Sequence, residues 1–226
     1  MIDRVMNQLS KQPLQKVIIV IGYKGQELKE YLGSEYNGMP IEYIENPIYY
    51  KTNNIFSLSL AKHKMQEDDT ILLESDLIFD DSMLSMIIEH PEPNLALVAK
   101  YETWMDGTMV RIDEDNNIVN FIPKAAFRYQ DVDKYYKTVN IYKFSKDFSK
   151  TKYVPFLDAY SKAVGNNEYY ENVLRIISFL NSKELKALPI TNEKWYEIDD
   201  KQDLDIAEAL FAEEEDILRK YYGRFG

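Results

Sequence analysis

Residues 16–45 read KVIIVIGYKGQELKEYLGSEYNGMPIEYIE, and this stretch decides the fold class. Its first six residues form a β-branched run that Gly22 ends, residues 26–32 have the spacing of one or two helical turns, and residues 41–44 return to a strand pattern. Two parallel strands need a crossover connection between them, usually a helix. The stretch therefore predicts a βα unit of an α/β protein.

The alternation of strand and helix continues beyond this stretch. Residues 54–65 carry apolar side chains mostly on one helical stripe, and TILLESD at residues 70–76 is a strand that ends in acidic residues. Successive units of this kind predict a Rossmann-like sheet, mixed but mostly parallel, with helices on both faces.

The pattern changes after about residue 91. Residues 108–112 and 118–122 flank the polar turn DEDNN, which predicts an antiparallel hairpin. Further strands are predicted at 95–99, 139–144, 185–188 and 195–198, with helices at 168–180 and, acidic and closing the chain, at 203–222. The sequence contains no Gly/Ser/Pro linker or repeat, so we predict one domain over residues 1–226, with a small antiparallel substrate lobe.

Composition limits the partners. The 226 residues include 27 Lys+Arg and 38 Asp+Glu, a net charge of −11, which disfavours nucleic acid and anionic membrane because both need a basic surface. Zero cysteines exclude disulfides, thiolate catalysis and Cys-based zinc sites, and two histidines are too few for a His-rich metal centre. The sequence shows neither an apolar signal core nor a membrane-length apolar segment, so we expect a cytoplasmic protein.

The segment ENPIYYKTNNIFSL at residues 45–58 concentrates amide and hydroxyl groups between a strand and a helix. Asn, Thr and Ser side chains there can supply the paired donors and acceptors that read the edge of a base. The alternative is that Asn53 or Asn54 caps the helix that begins near Ile55, and the spacing alone favours this cap. One cap, however, does not use every polar group in the segment.

Carboxylates follow two predicted strands. Asp76 comes after residues 71–73, and ligands of parallel sheets gather beyond the carboxyl ends of strands, although a turn residue or helix cap is the commoner role. In WYEIDD at residues 195–200, Glu197 and Asp199 share one face if the segment is extended. A divalent cation relieves their repulsion; exposure to water beside a lysine is the commoner remedy. Oxygen ligands without Cys indicate magnesium, in an all-carboxylate site suited to phosphate chemistry.

Cationic and aromatic groups lie between these acidic segments: Trp104, Lys124, Arg128, Lys137 and EYYE at residues 168–171. Lysines near a magnesium site can hold a second anionic substrate, while the tyrosines and glutamates of EYYE, Tyr169 and Glu171 among them, can surround an amine. The competing interpretation is that Tyr169 and Tyr170 pack in the core, since a chain with 18 tyrosines clusters them by chance.

Five strings, in order over about residues 1–210, resemble those of bacterial nucleotidyltransferases of the GT-A-like fold. They are ENPIYYKTNNIFSL at 45–58, ESD at 74–76, MDGTMV at 105–110, KTVNIYKFS at 137–145, and WYEIDD with the following Asp203 and Leu204. The nearest members are the choline-phosphate and 2-aminoethylphosphonate cytidylyltransferases. KTVNIYKFS looks more like the phosphonate enzymes, so we favour 2-aminoethylphosphonate as the acceptor and keep choline phosphate as the alternative.

The resemblance implies an enzyme that condenses CTP with a small phosphate or phosphonate that carries an amine, and releases pyrophosphate. It implies that Asp76 holds Mg²⁺ near the α-phosphate and that Glu197 and Asp199 complete the metal site. Lys124 resembles the lysine that meets the second substrate, and both Asp76 and Lys124 are expected to be catalytic. The residues that match the nucleotide side are Asn53, Asn54 and Ser57; those expected at the second substrate are Trp104, Lys137, Tyr169 and Glu171.

Relatives of this kind begin with a strand and a Gly-rich loop containing an Arg and, further on, a Pro-Lys pair, which together cradle the triphosphate. The chain opens at MIDRVMNQL, which resembles the helix after that loop. We expect the natural protein to carry the preceding segment, because loss of a central strand would expose a sheet edge. Fusion to a partner enzyme, association with one, and a homodimer are all compatible with the sequence.

Two other functions compete with cytidylyl transfer. A non-catalytic nucleotide-binding module agrees with the absence of a phosphate loop from the sequence. A GT-A glycosyltransferase shares the sheet and a metal carboxylate but expects a DxD-like motif, which ESD at residues 74–76 matches only approximately. We therefore rank the glycosyltransferase last.

Overall fold

The computed structural model describes residues 1–212. The helices are α1 Ile2–Ser10, α2 Gly25–Leu32, α3 Asn54–Met65, α4 Ser82–Glu89, α5 Lys146–Phe148, α6 Val154–Val164, α7 Glu171–Leu180 and α8 Lys201–Phe211. The strands are β1 Val17–Ile21, β2 Glu35–Tyr36, β3 Met39–Glu45, β4 Thr70–Leu73, β5 Leu77–Phe79, β6 Leu95–Lys100, β7 Met109–Ile112, β8 Ile118–Ile122, β9 Tyr136–Phe144, β10 Lys186–Ile190 and β11 Trp195–Glu197.

The predicted α/β class and the mixed sheet flanked by helices are confirmed. The strands form three sheets. A three-stranded sheet has the order β1-β3-β2, a six-stranded sheet has the order β10-β6-β9-β7-β8 with β4 also paired to β9, and a two-stranded sheet consists of β11 and β5. Among the described strands only β1·β3 and β10·β6 pair in parallel, so the sheet is less parallel than predicted. The reason is β9 in the middle of the six-stranded sheet. It pairs antiparallel with β4, β6 and β7, where the prediction had parallel neighbours joined by helical crossovers. The predicted antiparallel hairpin is β7–β8.

The boundaries of two predicted helices differ from the structure. The helix predicted at 168–180 begins at Glu171, and the acidic closing helix predicted at 203–222 is described from Lys201 to Phe211 as α8. Asp200 caps α8 because its side chain accepts bonds from the backbone N–H groups of Gln202 and Asp203. The rest of the second prediction lies outside the described residues. No helix within the described part of the chain is long and apolar enough to cross a membrane.

Strand β9 and its neighbour β6 separate two apolar clusters. Alternate residues of each strand enter opposite clusters, as the two-residue period of a strand requires; Val139 and Ile141 pack with α1 and α4, while Tyr142 and Phe144 pack with α3 and α7. The register of β9 against β6 breaks between Ala96 and Val98, opposite Asn140. Asn140 has a φ of 60°, in the left-handed region that few non-glycine residues occupy. This bulge turns the strand locally and marks the place where polar groups enter the sheet.

The strands β1 and β4 leave a groove between them. Within residues 1–212, β1 pairs on one side only, with β3, and β4 on one side only, with β9. Residues 16–20 and 70–73 nevertheless line the same cavity, and side chains of α1 and α3 line it too. The facing strand edges and flanking helices give this groove the surroundings of a central strand position in an α/β sheet.

Candidate active site

A cavity of about 1310 Å³ extends from the groove to the ends of β4 and β11. The sequence-predicted residues that line it are Asn53, Asn54, Ser57, Asp76, Lys124, Lys137, Tyr169, Glu171, Glu197 and Asp199. Trp104 is not among the lining residues. Residues spread over almost 150 positions of sequence thus meet at one place, as expected for the carboxyl ends of strands in an α/β sheet.

The acidic segment after β11 reaches Asp76 through backbone pairing. Strand β11 lies antiparallel to β5, with Glu197 opposite Leu77, and the Ile198 N–H donates to the Asp76 carbonyl at 2.9 Å. Glu197 and Asp199 therefore flank the residue that is bonded to Asp76. The sequence-based prediction that these three carboxylates share one region is in agreement with this geometry.

Burial and mutual repulsion act on these carboxyl groups. Burial raises the pKa of Asp76 above its ordinary value, and the charge of Asp199 raises it further. Burial also raises the pKa of Glu197, against the opposing effect of the Lys137 ammonium. The Oδ1 atom of Asp76 is buried and has no hydrogen-bond partner among the described residues. An unpaired buried carboxylate oxygen is costly, which indicates that a ligand completes it.

The predicted three-carboxylate metal cage is not formed. Among residues 1–212, no three His, Cys, Asp or Glu side chains are arranged to hold a metal ion. The physical reason is Glu197, whose Oε1 accepts bonds from Lys137 Nζ at 2.8 Å and from Asn140 Nδ2 at 2.6 Å. Asp76 and Asp199 remain. Because Mg²⁺ is commonly held by one or two carboxylates together with substrate phosphates, this smaller set still fits an ion shared with a nucleotide.

Lys137 lies where sequence reasoning did not place it. We predicted a contact with the second substrate, but the side chain is 1% exposed and its ammonium donates to Glu197 and to the Thr138 carbonyl at 2.6 Å. The ammonium also lies 5.7 Å from the centre of the Trp195 ring. Lys137 is therefore the internal counter-charge of Glu197, although part of it still lines the cavity.

Sequence reasoning missed Glu74 and Asn140 as site residues. Asn140 Nδ2 donates to Glu74 Oε2 at 3.1 Å as well as to Glu197, so one amide links two carboxylates. Asn54 Nδ2 donates to the other oxygen, Glu74 Oε1, at 3.2 Å. Burial, and then the charges of Glu171 and Asp76, raise the pKa of Glu74 to about 8. The signal in the sequence was a single Asn between the apolar residues Val139 and Ile141 of β9.

Glu171 is the first residue of α7 and is only 7% exposed. Burial raises its pKa to about 7. Its Oε2 atom has no hydrogen-bond partner among the described residues. Tyr169 is 57% exposed at the same edge of the cavity, whereas Tyr170 is buried, so the core interpretation holds for Tyr170 and not for Tyr169.

The three predicted nucleotide-side residues differ in how far their polar groups are already used. Asn53 is the cap of α3 and accepts from the Asn54 N–H at 2.8 Å, which confirms the cap interpretation for Asn53. The Asn54 amide is held at both ends, by Glu74 and by the Tyr170 N–H, and Ser57 Oγ accepts from Asn46 Nδ2. All three line the cavity, and their contact with a nucleotide stays a prediction.

Lys124 and Trp104 lie towards the outside of the site. The Lys124 ammonium is exposed and pairs with Asp106 Oδ2 at 2.5 Å, an exposed bond that a substrate anion can replace at little cost. The Trp104 ring stacks on the Tyr196 ring with 5.1 Å between the ring centres, and the Trp104 side chain is 47% exposed. Arg128 is also exposed. Lys124 is thus a cation of the cavity rim, and Trp104 lies beside β11 rather than in the cavity lining.

Solved nucleotidyltransferases share this fold, as the resemblance seen in the sequence predicts. The CTP:phosphocholine cytidylyltransferase of Streptococcus pneumoniae superposes with a TM-score of 0.72 at 17% identity, over 93% of this chain and 85% of that one. The inositol-1-phosphate CTP transferase of T. maritima superposes with a TM-score of 0.68 at 18% identity, over 96% and 82%.

The sequence is also similar to a longer protein. It is 26% identical over 227 residues to the CMP-5'-(3-aminopropyl)phosphonate synthase of Streptomyces rubellomurinus, which covers 97% of this chain and 36% of that protein. The chain thus spans about a third of this relative's length. No protein-family model matches the chain.

Proposed function

We propose that the chain is a cytidylyltransferase that condenses CTP with a small aminoalkylphosphonate, 2-aminoethylphosphonate first, and releases pyrophosphate. The observation that carries the proposal is the single cavity in which amide groups of α3, carboxylates after β4 and β11 and the rim cation Lys124 converge. The similar synthase is named for a product in which CMP is linked to an aminopropylphosphonate. That name supports CTP as the nucleotide and an aminoalkylphosphonate as the acceptor.

In this reaction a phosphonate oxygen attacks the α-phosphorus of CTP. The new P–O bond forms as the bond from the α-phosphorus to its bridging oxygen breaks, and pyrophosphate carries that oxygen and its electron pair away. Two anions must approach in line, so catalysis consists mostly of positioning and charge neutralisation. Lys124, exposed at the rim, is the residue we assign to the incoming phosphonate.

We assign Asp76, together with Asp199, to a Mg²⁺ ion that arrives with the nucleotide. Two observations support this assignment: Asp76 Oδ1 has no hydrogen-bond partner among the described residues, and the charge of Asp199 acts on the same carboxyl. When bound, the ion neutralises phosphate charge. Glu197 is held by Lys137 and Asn140, so its proposed part is to keep the lysine and the bulged strand in place beside the metal carboxylates.

We also propose that the groove between β1 and β4 is where the strand and phosphate-cradling loop of a longer form of the chain would lie. Within the described part of the chain each of these strands has one edge without a partner, and this edge and the apolar helix side chains along the groove support the placement.

The test is release of pyrophosphate from CTP with a panel of acceptors. We expect turnover with 2-aminoethylphosphonate and its 3-aminopropyl homologue, weaker or no turnover with phosphocholine, and loss of turnover in chelator. Turnover with a sugar 1-phosphate alone would reject the proposal.

A non-catalytic nucleotide-binding module remains the second candidate, because within residues 1–212 neither β1 nor β4 has a strand partner along the groove beside the cavity. Calorimetric titration of CTP with and without Mg²⁺ separates the two functions. Binding of CTP without turnover of any acceptor would favour the module, and affinity that does not change in chelator would contradict the metal site.

A further inference from the structure

Resting on the proposed function, we propose that Asn46 is a positioning residue for the nucleotide, because it keeps the hydroxyl proton of Ser57 available for an acceptor atom of the nucleoside. Ser57 lines the cavity and Asn46 does not, so Asn46 acts through Ser57 rather than by contact with the ligand. The sequence suggests Ser57 as a nucleotide contact and assigns no part to Asn46.

Asn46 is buried, and the polar groups of its side chain are all used within one segment of chain. It follows β3, is 3% exposed, and its N–H donates to the Ile21 carbonyl at the end of β1 at 2.8 Å. Its Oδ1 accepts from the Ile48 N–H at 3.1 Å, and its Nδ2 donates to Thr52 Oγ1 and to Ser57 Oγ, each at 3.2 Å. One amide therefore ties the ends of two strands to the second turn of α3.

These bonds fix which way the Asn46 amide points. A backbone N–H only donates, so the amide oxygen faces Ile48 and the amide nitrogen faces the two hydroxyls. An amide nitrogen donates and does not accept, so Ser57 Oγ receives a proton in this contact. Thr52 gives its own hydroxyl proton to the Ile48 carbonyl at 3.3 Å. The Ser57 hydroxyl donates to no other described residue, which leaves its proton for a ligand in the cavity.

The neighbouring polar groups of α3 are already committed. Asn53 caps the helix through Oδ1, and both ends of the Asn54 amide are held by neighbouring residues. A nucleoside offers oxygen and ring-nitrogen acceptors, and a half-buried hydroxyl gains by pairing with one of them. A donor whose orientation is set before binding loses less entropy when the ligand arrives. Asn46 should therefore strengthen CTP binding without touching CTP.

The first variant is Asn46→Asp, which keeps the size of the side chain and reverses its hydrogen bonds. The carboxylate still accepts from the Ile48 N–H, but it presents an acceptor to Ser57, so the Ser57 hydroxyl turns away from the cavity to donate to it. We expect the KM for CTP to rise about tenfold, while kcat and the KM for 2-aminoethylphosphonate stay within about twofold. An unchanged KM for CTP would overturn the inference.

The second variant, Ser57→Ala, removes the donor itself and should raise the KM for CTP about 3- to 10-fold. In the Ser57→Ala background, Asn46→Asp should change this KM by less than about twofold, because no hydroxyl remains to turn. A merely structural role of Asn46, or repulsion of the triphosphate by the new carboxylate, would give the same rise in both backgrounds. That result would overturn the inference.

Asn192→Asp is the matched control, because it adds the same charge at an exposed position outside the cavity lining, and it should behave as wild type. Urea unfolding shows whether each variant folds. If Asn46→Asp does not, Asn46→Ala takes its place, since it removes the same donor without adding a charge. It should raise the KM for CTP about 2- to 5-fold, and less than about twofold in the Ser57→Ala background. Equal rises in both backgrounds would overturn the inference.

Absence of CTP turnover with every acceptor would instead overturn the proposed function. Calorimetric titration of CTP into wild type and the same variants then tests Asn46 by itself. Affinity that falls in Asn46→Asp only where Ser57 is present supports the inference, while equal affinity, or binding by neither protein, overturns it.

Discussion

Replacing Glu171 by Gln should change how the stability of the ligand-free protein depends on pH. Burial in the fold raises the pKa of this carboxyl from 4.5 to about 7, so the folded state retains a proton that the unfolded chain releases. The stability that this group contributes is complete below pH 4.5 and is lost as the pH rises towards 7. The glutamine variant has no proton to lose at this position and should not show that decline.

The size of the effect follows from the shift in pKa. One pKa unit corresponds to about 1.4 kcal/mol, so a rise from 4.5 to about 7 corresponds to about 3 kcal/mol. Removing the Glu171 charge also lowers the pKa of Glu74, because that charge is the second cause of its rise after burial. The free energy of unfolding of a domain of this size is about 5–15 kcal/mol, so a change of about 3 kcal/mol is easily measured.

Urea unfolding followed by tryptophan fluorescence, at pH values from 4.5 to 8, gives the free energy of unfolding at each pH. We expect the difference in free energy of unfolding, Gln variant minus wild type, to be about 3 kcal/mol larger at pH 8 than at pH 4.5. Glu114→Gln removes an exposed charge of the same kind and should run parallel to wild type. Parallel curves for wild type and Glu171→Gln would refute the claim that Glu171 is held as a disfavoured buried carboxylate.

Three further substitutions test the rest of the site. Asp76→Asn should lower turnover at least about 100-fold while the urea midpoint does not fall, and loss of folding would assign Asp76 a structural role instead. Lys124→Ala should raise the KM for the phosphonate about tenfold and that for CTP little, since the side chain lies at the rim; equal weakening of both would argue against the assignment. Lys137→Met leaves the Glu197 carboxylate without its buried cation, so unfolding experiments should show a loss of about 3–5 kcal/mol. A loss under about 1 kcal/mol would mean that the ion pair is not what holds Glu197.

The sequence predicted the parts of the site that depend on strand ends. TILL is followed by Glu74 and Asp76, and WYE ends in Glu197 with Asp199 two residues further on. Backbone pairing of β5 with β11 is enough to bring these carboxylates together. Local pattern encodes both the strand and the residue that follows it. The location of these carboxylates was therefore predictable. Which of them are available to a metal ion was not, because Glu197 is bonded to Lys137 and Asn140.

The polar network behind them was not predictable from local pattern. Asn140 joins Glu74 to Glu197 only because β9 is bulged at this residue, and a bulge depends on the register with a neighbouring strand. Lys137 appeared in the sequence as a free cation suited to a substrate anion. It is buried instead because Glu197, sixty positions away in sequence, is its partner. Such long-range choices are decided by tertiary packing, which no window of sequence contains.

The charges in the cavity favour ligands of a particular kind. Glu74, Asp76, Glu171 and Glu197 all have raised pKa values with burial as the first cause, and Lys137 is the buried cation paired within this group. Where these carboxyl groups are ionised, the part of the cavity that they line disfavours a simple anion such as inorganic phosphate. In the proposed reaction the nucleotide would bring Mg²⁺ to Asp76 and Asp199, in addition to the cations Lys124 and Lys137 that already line the cavity. Removing the metal should therefore weaken nucleotide binding more than the loss of its direct contacts alone, because the phosphates are then placed against carboxylates without the ion between them.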